Sequence, residues 1–529
     1  MPIEPIIPTD QQQAAIAAAR NSTDSILLEA YAGAAKTTTL TMMAKEIKIP
    51  ALALAFNVSI KKELAGKFPP NFSVQTMNGL GYASLMRAMP SVNFTVDAHG
   101  KKLGKIIREV LKDFKVDLGA EQYESIRDVV RQCMIQGLVP QEFEQARSLL
   151  ADTEDNWLAL MENSGVGEND FPMVEELCRE ILTRDIDQAL KGFVSFDDQI
   201  YVSTLVAGRF PQFPAILGDE IQDFSPLNHA MLVKAVRPDG RLLMVGDKRQ
   251  SIYAFRGADT NSIAKIKALR SKWIELPLTI TFRCPKTVVK RQQFHAPGFQ
   301  AGPNNRDGLF VKLPIYKGLA PDTEEPEKWN WFNVEAVTPQ GASVAVLCRN
   351  NAPILKLAFK LLAKRKSIKI LGREIGRGII ALTKQLAPRD ATPKLELASL
   401  VALWEEREKA LALANDQSEK MDMIEDKAEC VRAVLSYETV NDAGDCRREL
   451  NFLFSREEGA ITLSSIHKAK GLEWDVVLLL DPWRMPSKWA RERAKLGDDT
   501  ELQQEMNLKY VAETRTKDVL IHANVEDFE

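Results

Sequence analysis

Short runs of Leu, Ile, Val and Ala recur along the chain, each followed by a segment whose apolar residues return every three or four positions. The runs are Ser25–Ala30, Ala51–Phe56, Ala215–Leu217, Leu242–Val245, Val344–Cys348, Ile461–Ser465 and Val476–Leu480. Runs of this length predict buried strands, and their alternation with helices predicts an α/β fold built on parallel sheets. Polar residues gather where two of the runs end, at Gly218-Asp219-Glu220 and at Gly246-Asp247. Open α/β sheets bind their ligands at that edge.

Two stretches break the alternation. Residues 97–190 have few glycines and helical periodicity, and residues 385–457 are helical and charged. Both read as helical insertions into α/β cores. The stretch "HAPGFQAGPNNRDG" (295–308) is rich in turn formers and reads as a linker.

Composition narrows the class. At 529 residues the chain is long enough for about three or four domains. Hydrophobic residues make up 45% and charged residues 27%, the balance of a globular protein in water. No apolar run approaches the ~20 residues that cross a bilayer, so no membrane partner is expected. The N-terminal "MPIEPIIPTDQQQ" lacks a basic stretch and an apolar signal core, so the expected location is cytoplasmic, bacterial or phage-encoded, or nuclear in a eukaryote. Six scattered cysteines without a Cys-x-x-Cys pair argue against a disulfide scaffold or zinc ribbon and predict reduced, buried thiols. A net charge of −3 excludes a nonspecific polycation, yet leaves room for a local basic groove. The eight basic residues between 356 and 377 are one candidate for such a groove; a solvated helix face is the other reading.

Three clusters carry candidate chemistry. "LLEAYAGAAKTTTL" (27–40) runs from a strand into Lys36-Thr37, as a phosphate-binding loop of the form G-x-x-x-x-G-K-[ST] does. Lys36 would reach the β- and γ-phosphates and Thr37 a Mg²⁺ ion, while Ala32, Gly33, Ala34, Ala35 and Thr38 supply backbone around them. Ala30 and Ala35 stand at the two glycine positions. A helical backbone at Ala35 would accept its methyl group at small cost, and that is the expectation here. Taken alone, the stretch equally fits a helix start with an exposed lysine. "AILGDEIQDFSPLN" (215–228) ends a strand in Asp219-Glu220, suited to holding Mg²⁺ (Asp219) and activating water (Glu220); an exposed acidic turn is the alternative. "LLMVGDKRQSIYAFRGA" (242–258) offers Gln250 as a γ-phosphate sensor, with Tyr253, Phe255 and Arg256 as contacts to a single strand; buried core aromatics are the alternative.

The last two stretches resemble motifs II and III of superfamily 1 helicases of the UvrD/Rep/PcrA type, and other motifs of that family follow in order. "PTDQQQAAIAAA" (8–19) resembles the Q motif, which puts Gln12 in the adenine-reading place, although Thr9 and Gln12 also have the spacing of a helix capping box. "LAFNVSIKKEL" (54–64) resembles motif Ia, with Phe56 and Asn57 on DNA. "VQTMNGLGYASL" (74–85) resembles motif Ib, with Thr76 and Asn78 on DNA, Asn78 standing where the family usually has His. "VSFDDQIY" (194–201) resembles the stretch preceding motif II. "LTITFRCP" (278–285) resembles motif IV, which implies adenine stacking by Phe282 and a γ-phosphate contact by Arg283. "ITLSSIHKAKGLEWDVVLLL" (461–480) resembles motif V, which implies DNA-backbone contacts by Ser465, His467 and Lys470 and a nucleotide-facing Glu473. "NLKYVAETRTKDVLI" (507–521) resembles motif VI, which makes Arg515 the arginine finger.

The resemblance implies two RecA-like P-loop NTPase domains with helical insertions. Residues 1–89 and 191–285 would form domain 1A, 90–190 a 1B-like insertion, 286–384 and 458–529 domain 2A, and 385–457 a short 2B-like insertion. It implies ATP and Mg²⁺ as ligands, single-stranded DNA and single/double-strand junctions as partners, replication or recombination proteins as candidate associates, and 3′→5′ movement. The "AYAGAAKTTTL" and "LAFN" wording resembles the compact F-box DNA helicase branch and its phage and bacterial relatives. Two alternatives stay open: a DNA-binding relative whose ATPase is weak or absent because of Ala35, and a P-loop enzyme with another substrate.

Overall fold

The computed structural model describes residues 7–55, 58–143, 145–164, 166, 170–252, 261–314, 328–414 and 420–529. Its packing separates two units, Met1–Ala30 with Ala35–Leu278, and Tyr31–Ala34 with Thr279–Glu529.

The strands of the first unit are β1 (Ser25–Ala30), β2 (Ala51–Ala55), β3 (Phe72–Thr76), β4 (Thr95–Val96), β5 (Phe193–Val194), β6 (Phe213–Gly218), β7 (Val236–Gly246) and β8 (Trp273–Leu278). Six of them form one sheet in the order β3-β2-β6-β7-β1-β8, parallel at every pairing. Helices cover both faces of such a sheet, so its inner strands are apolar at nearly every position. All five residues of β2 are buried, and in β1 only Glu29 is exposed. The register pairs Glu29 with Gly246 and Gly218 with Met244. The ends of β1, β6 and β7 therefore open at one edge, and the segments after Ala30, Gly218 and Gly246 leave from there.

The helices Lys102–Phe114, Ala120–Gln136, Glu154–Asn163 and Phe171–Leu190 occupy the segment expected to be helical. They bury Ile106, Val130, Trp157 and Ile181 in a cluster of their own, which reaches Leu85 and Tyr201 of the neighbouring helices. One buried charge group fastens this segment to the "FDD" stretch. Lys102 Nζ lies 2.6 Å from Asp198 Oδ2 and 3.1 Å from Asp185 Oδ1, and it also donates to the Asp185 carbonyl at 2.8 Å. All three side chains are at most 1% exposed. An ammonium is stable at such depth only when paired and hydrogen-bonded, as here.

The second unit contains β9 (Ile280–Thr281), β10 (Gln300–Ala301), β11 (Leu309–Lys312), β12 (Val344–Cys348), β13 (Ile368–Ile370), β14 (Ile461–Ser465), β15 (Trp474–Leu480) and β16 (Thr516–Ala523). The larger sheet runs β11-β16-β15-β12-β14-β13 and is again parallel. The helices Lys394–Ala414, Met421–Leu435 and Ala443–Ser455 have no separate core. Leu397, Val401, Val431 and Leu450 join the same cluster as Val346 and Leu478 of the sheet. The expected α/β class with parallel sheets and helical additions is thus what the chain forms.

Two sequence readings change. Residues 295–308 are not a linker but a clasp: β10 pairs with β9, and Asn305 Nδ2 donates to the carbonyls of Thr281 (2.9 Å) and Cys284 (2.7 Å). The basic run of 356–377 is largely committed to local partners. Lys356 pairs with Glu526, Lys366 with Glu335 and Arg373 with Glu457, while Lys360 donates to the Phe528 carbonyl. This matches the solvated-face reading better than a groove for phosphates. All six cysteines are unpaired and buried, as expected. Among the described residues no helix is long and apolar enough to cross a membrane.

Candidate nucleotide site and nucleic-acid contacts

In the first unit, β1 delivers the chain to the helix Lys36–Ala44. Its N-cap is Ala35, with φ 55° and ψ 41°, and no side chain caps it. The helical backbone expected at Ala35 is therefore wrong. The residue is left-handed, a conformation that glycine accepts freely and alanine adopts at a penalty. A neighbouring chain of bonds braces this turn. Gln12 Nε2 donates to Thr39 Oγ1 at 2.9 Å, and Thr39 Oγ1 donates to the Ala35 carbonyl at 3.0 Å. Gln12 Oε1 also accepts from Thr9 N, completing the capping box of the helix Asp10–Asn21. Both ends of the Gln12 amide are thus engaged within the fold.

The side chains after β1 and β6 meet. Lys36 Nζ lies 2.7 Å from Glu220 Oε1, and Thr37 Oγ1 donates to Asp219 Oδ2 at 2.8 Å. Glu220 is itself left-handed, with φ 53°, and turns the chain sharply after Asp219. Non-glycine residues with positive φ concentrate at functional turns. Burial works against the Lys36 charge, but Glu220, Asp219 and Asp247 outweigh it and hold the ammonium above its ordinary range. Burial, then Glu220, pushes the Asp219 carboxyl up to about 6, against the pull of Lys36 and Thr37. Burial also raises Asp247.

A second set of bonds joins motif II to motif III. Gln222 Nε2 donates to Glu220 Oε2 at 2.5 Å, and Gln222 Oε1 accepts from Asp247 N at 3.0 Å. Asp247 Oδ2 in turn accepts from Gln250 Nε2 at 2.7 Å. Gln222, Asp247 and Thr39 were not singled out as site residues by sequence reasoning. Their roles depend on proximity between segments far apart in the chain, although Gln222 and Asp247 sit inside the motifs.

Mg²⁺ fits this donor set. It prefers one or two protein oxygens and keeps water or phosphate as its other ligands. Thr37 and Asp219 offer one hydroxyl and one carboxylate, and among the described residues no group of three His, Cys, Asp or Glu side chains is arranged around a metal position. A phosphate fits too. Lys36 Nζ is a buried ammonium at the start of the helix Lys36–Ala44, whose uncapped N-terminus presents N–H groups.

The second unit holds the rest of the expected nucleotide-site residues. Arg283 Nε lies 2.5 Å from Glu473 Oε2, so these two are brought together. Phe282 is 48% exposed, open to stacking. Arg515 is 1% exposed, and its guanidinium donates to the carbonyls of Val511 (3.0 Å) and Leu472 (3.4 Å). Beside it, Glu513 binds Arg291 (3.1 and 3.2 Å) and Gln292 (2.7 Å), a network sequence reasoning missed. Residues 31–34 also pack with this unit. Ala32 N donates to Tyr510 Oη at 2.9 Å, Gly33 O accepts from Phe282 N at 2.8 Å, and Ala34 is buried. Gly33 has φ 70°, and a Cβ there would lie 2.5 Å from Thr281 Oγ1, so both backbone and space demand glycine. Thr38 is half-buried on the first turn of its helix.

The expected DNA contacts divide. Thr76 caps the helix Met77–Ala88, accepting from Gly79 N, and Asn78 Nδ2 donates to the Phe196 carbonyl at 2.7 Å. Ser465 is buried at the start of the turn Ile466–Ala469, with His467 and Lys470 half-buried near it. Phe56, Asn57, Tyr253, Phe255 and Arg256 lie outside the described residues.

Comparison with known proteins agrees with this arrangement. The family model of the UvrD/REP helicase N-terminal domain matches residues 9–269, and that of the UvrD-like helicase C-terminal domain matches residues 390–526. F-box DNA helicase protein 1 of Schizosaccharomyces pombe is 25% identical over 97% of this chain and 57% of its own length. F-box DNA helicase 1 of Gallus gallus is 22% identical over 94% and 47%, respectively. The putative ATP-dependent DNA helicase YjcD of Bacillus subtilis is 24% identical over 58% of this chain and 51% of its own length. The chain thus spans about half the length of these curated relatives.

Proposed function

The chain belongs to the UvrD/REP helicase family, its two α/β units being RecA-like, and on that premise we propose that it is an ATP-driven DNA helicase or translocase. The observation that carries this reading is the meeting of Lys36 with Glu220 and of Thr37 with Asp219. A strand-end acidic pair and a loop lysine, the residue types that phosphoryl transfer to water uses, come together there.

In this reading the N–H groups around Gly33–Thr38 and the Lys36 ammonium bind the phosphates. Thr37 and Asp219 would hold Mg²⁺, which would supply charge neutralisation for the phosphates. Glu220 orients the attacking water and takes its proton; Gln222 fixes the carboxylate, and the chain Gln222–Asp247–Gln250 links it to the motif III segment. The family resemblance gives Phe282 an adenine contact, Arg283 and Arg515 phosphate contacts, and Glu473 a nucleotide-facing role. The Gln12–Thr39 bond gives Gln12 a bracing role for the loop in addition to any adenine contact. Thr76, Asn78, Ser465, His467 and Lys470, with Phe56, Asn57, Tyr253, Phe255 and Arg256, would track a single strand. Replication or recombination proteins are the candidate associates, and 3′→5′ polarity rests on the family resemblance.

Unwinding of a duplex with a 3′ tail, against the same duplex with a 5′ tail, tests the reading. ATP-dependent strand release from the 3′-tailed substrate alone supports it, and release from neither overturns the helicase activity. The second reading, a DNA-binding relative with little ATPase, is favoured by one observation, the left-handed Ala35. It predicts DNA binding without hydrolysis.

A further inference from the structure

Within the second unit, Glu513, Thr514 and Arg515 join the end of the helix Thr500–Glu513 to β16. Glu513 is fully buried. A carboxylate at that depth is tolerated only when it is paired and hydrogen-bonded. Arg291 grips it side-on, with Nη2 3.1 Å from Oε1 and Nε 3.2 Å from Oε2. Gln292 Nε2 donates to Oε2 at 2.7 Å, and His522 Nε2 lies 3.2 Å from Oε1.

The grip is directional. The Arg291 guanidinium lies over the Phe310 ring, 3.7 Å from its centroid, and Phe310 meets His522 edge-on at 4.9 Å. Phe310 belongs to β11 and His522 to β16, which pair in the sheet. The guanidinium is therefore set on its face by an aromatic ring and in its plane by two carboxylate oxygens. A fork of this kind fixes orientation as well as distance, which an apolar contact does not.

The same three residues are tied to the segment resembling motif IV. Arg291 and Gln292 end the helix Lys286–Gln292, and Cys284, just before that helix, donates from Sγ to the Thr514 carbonyl at 3.5 Å. Arg283, one residue earlier, pairs with Glu473. On either side of Glu473, the Leu472 carbonyl accepts from Arg515 Nη1 at 3.4 Å, and Trp474 N donates to the Arg515 carbonyl at 3.0 Å. These links close a ring through Arg283, Glu473, Arg515, Glu513 and Arg291. Glu513 supplies the charged tie that holds the turn before Arg515 against the helix after Arg283.

We propose that Glu513 is a positioning residue for Arg515, setting where that guanidinium stands relative to Arg283 when the two act on a transferred phosphoryl group. The inference rests on the ATP-driven reading above and goes beyond its residues, because Glu513 acts through the turn that carries Arg515 and not on the nucleotide. A displacement of about 1 Å at a group that stabilises a transition state costs on the order of 10²-fold in rate.

The test is steady-state ATP hydrolysis by the full chain at saturating single-stranded DNA, read by radiolabelled phosphate release so that slow turnover is measured. Glu513→Gln keeps the size and loses the charge. It should lower kcat by about 10- to 100-fold and leave KM for ATP within about threefold, the signature of an interaction made only in the transition state. The same substitution in an Arg515→Lys background should change kcat by less than about twofold, because residues that act as a unit are not additive. An equal fall in both backgrounds, as a merely structural role gives, overturns the proposal, and so does no fall in the wild-type background. Circular dichroism melting sets an assay temperature at which each variant is folded. If Glu513→Gln does not fold, Arg291→Gln opens the same tie from its partly exposed end and is held to the same two results. A wild-type chain that hydrolyses no ATP would instead overturn the reading on which the proposal rests, and the proposal with it.

Discussion

Ala35 carries a prediction that sets two opposing effects against each other. It stands at the second glycine position of the phosphate loop with φ 55° and ψ 41°. A left-handed backbone costs an alanine about 1–2 kcal/mol that glycine does not bear. Glycine in exchange gives the unfolded chain more freedom, a loss of about 0.4–1 kcal/mol of stability. Ala35→Gly should therefore stabilise the first unit modestly, by about 0.5–1 kcal/mol. The loop already has the geometry a glycine would give, braced by Thr39 at the Ala35 carbonyl. The change in kcat/KM should accordingly stay within about fivefold, since tenfold requires about 1.4 kcal/mol. Ala35→Val should act oppositely, because a β-branched residue at positive φ is a genuine outlier. Urea denaturation and steady-state ATP hydrolysis of the three proteins decide it. A rise in hydrolysis by orders of magnitude in Ala35→Gly would show that the natural methyl group impairs phosphate binding. Lower stability in Ala35→Gly would show that the residue is not left-handed in solution.

Other predictions follow from the buried charges. Lys102→Met leaves Asp185 and Asp198 without their ammonium and should destabilise the first unit by about 3–5 kcal/mol, read as a lower urea midpoint; a midpoint within error of wild type would contradict the role of the triad. Glu513 is held down to about 2: burial acts to raise it, but bonds from His522 and Arg291 prevail, with Gln292 also donating. His522 itself is lowered by burial and so is uncharged at neutral pH, which leaves Arg291 and Gln292 as the durable partners. A depressed carboxyl stabilises the fold above its unfolded pKa of about 4.3 and loses that contribution as pH falls toward its folded value. Glu513→Gln should cost about 2 kcal/mol at pH 7, discounted because Arg291 is 29% exposed, and should flatten the acid limb of stability between about pH 4.5 and 2. An acid limb as steep as wild type would refute it. Lys36→Ala should weaken nucleotide binding, measured with a fluorescent ATP analogue; unchanged affinity would remove Lys36 from the site.

The inner strands could be read from sequence because a parallel sheet covered on both faces makes them continuously apolar, as in β2 and β12. The strands that escaped were mostly edges. β3 and β8 flank the first sheet and are only partly buried, and β8 carries Glu275 and Pro277 in a pattern with no clear period. β16 lies inside its sheet but begins with Thr516-Lys517-Asp518, which hides the apolar run behind it. At the site, motif wording pointed to Lys36, Thr37, Asp219 and Glu220, which do meet. The positive φ of Ala35 was not legible, because alanine gives no signal of a left-handed turn as glycine does. Nor was the fate of the basic run, whose partners Glu335, Glu457 and Glu526 lie far from it in sequence.

The most direct test of the account is steady-state ATP hydrolysis by the full chain, with and without single-stranded DNA, beside Glu220→Gln. Hydrolysis that rises with DNA and falls by about 10²–10⁴-fold in Glu220→Gln, the range for a lost general base, is the predicted result. No hydrolysis in either condition, or a rate indifferent to DNA and to Glu220, would contradict it.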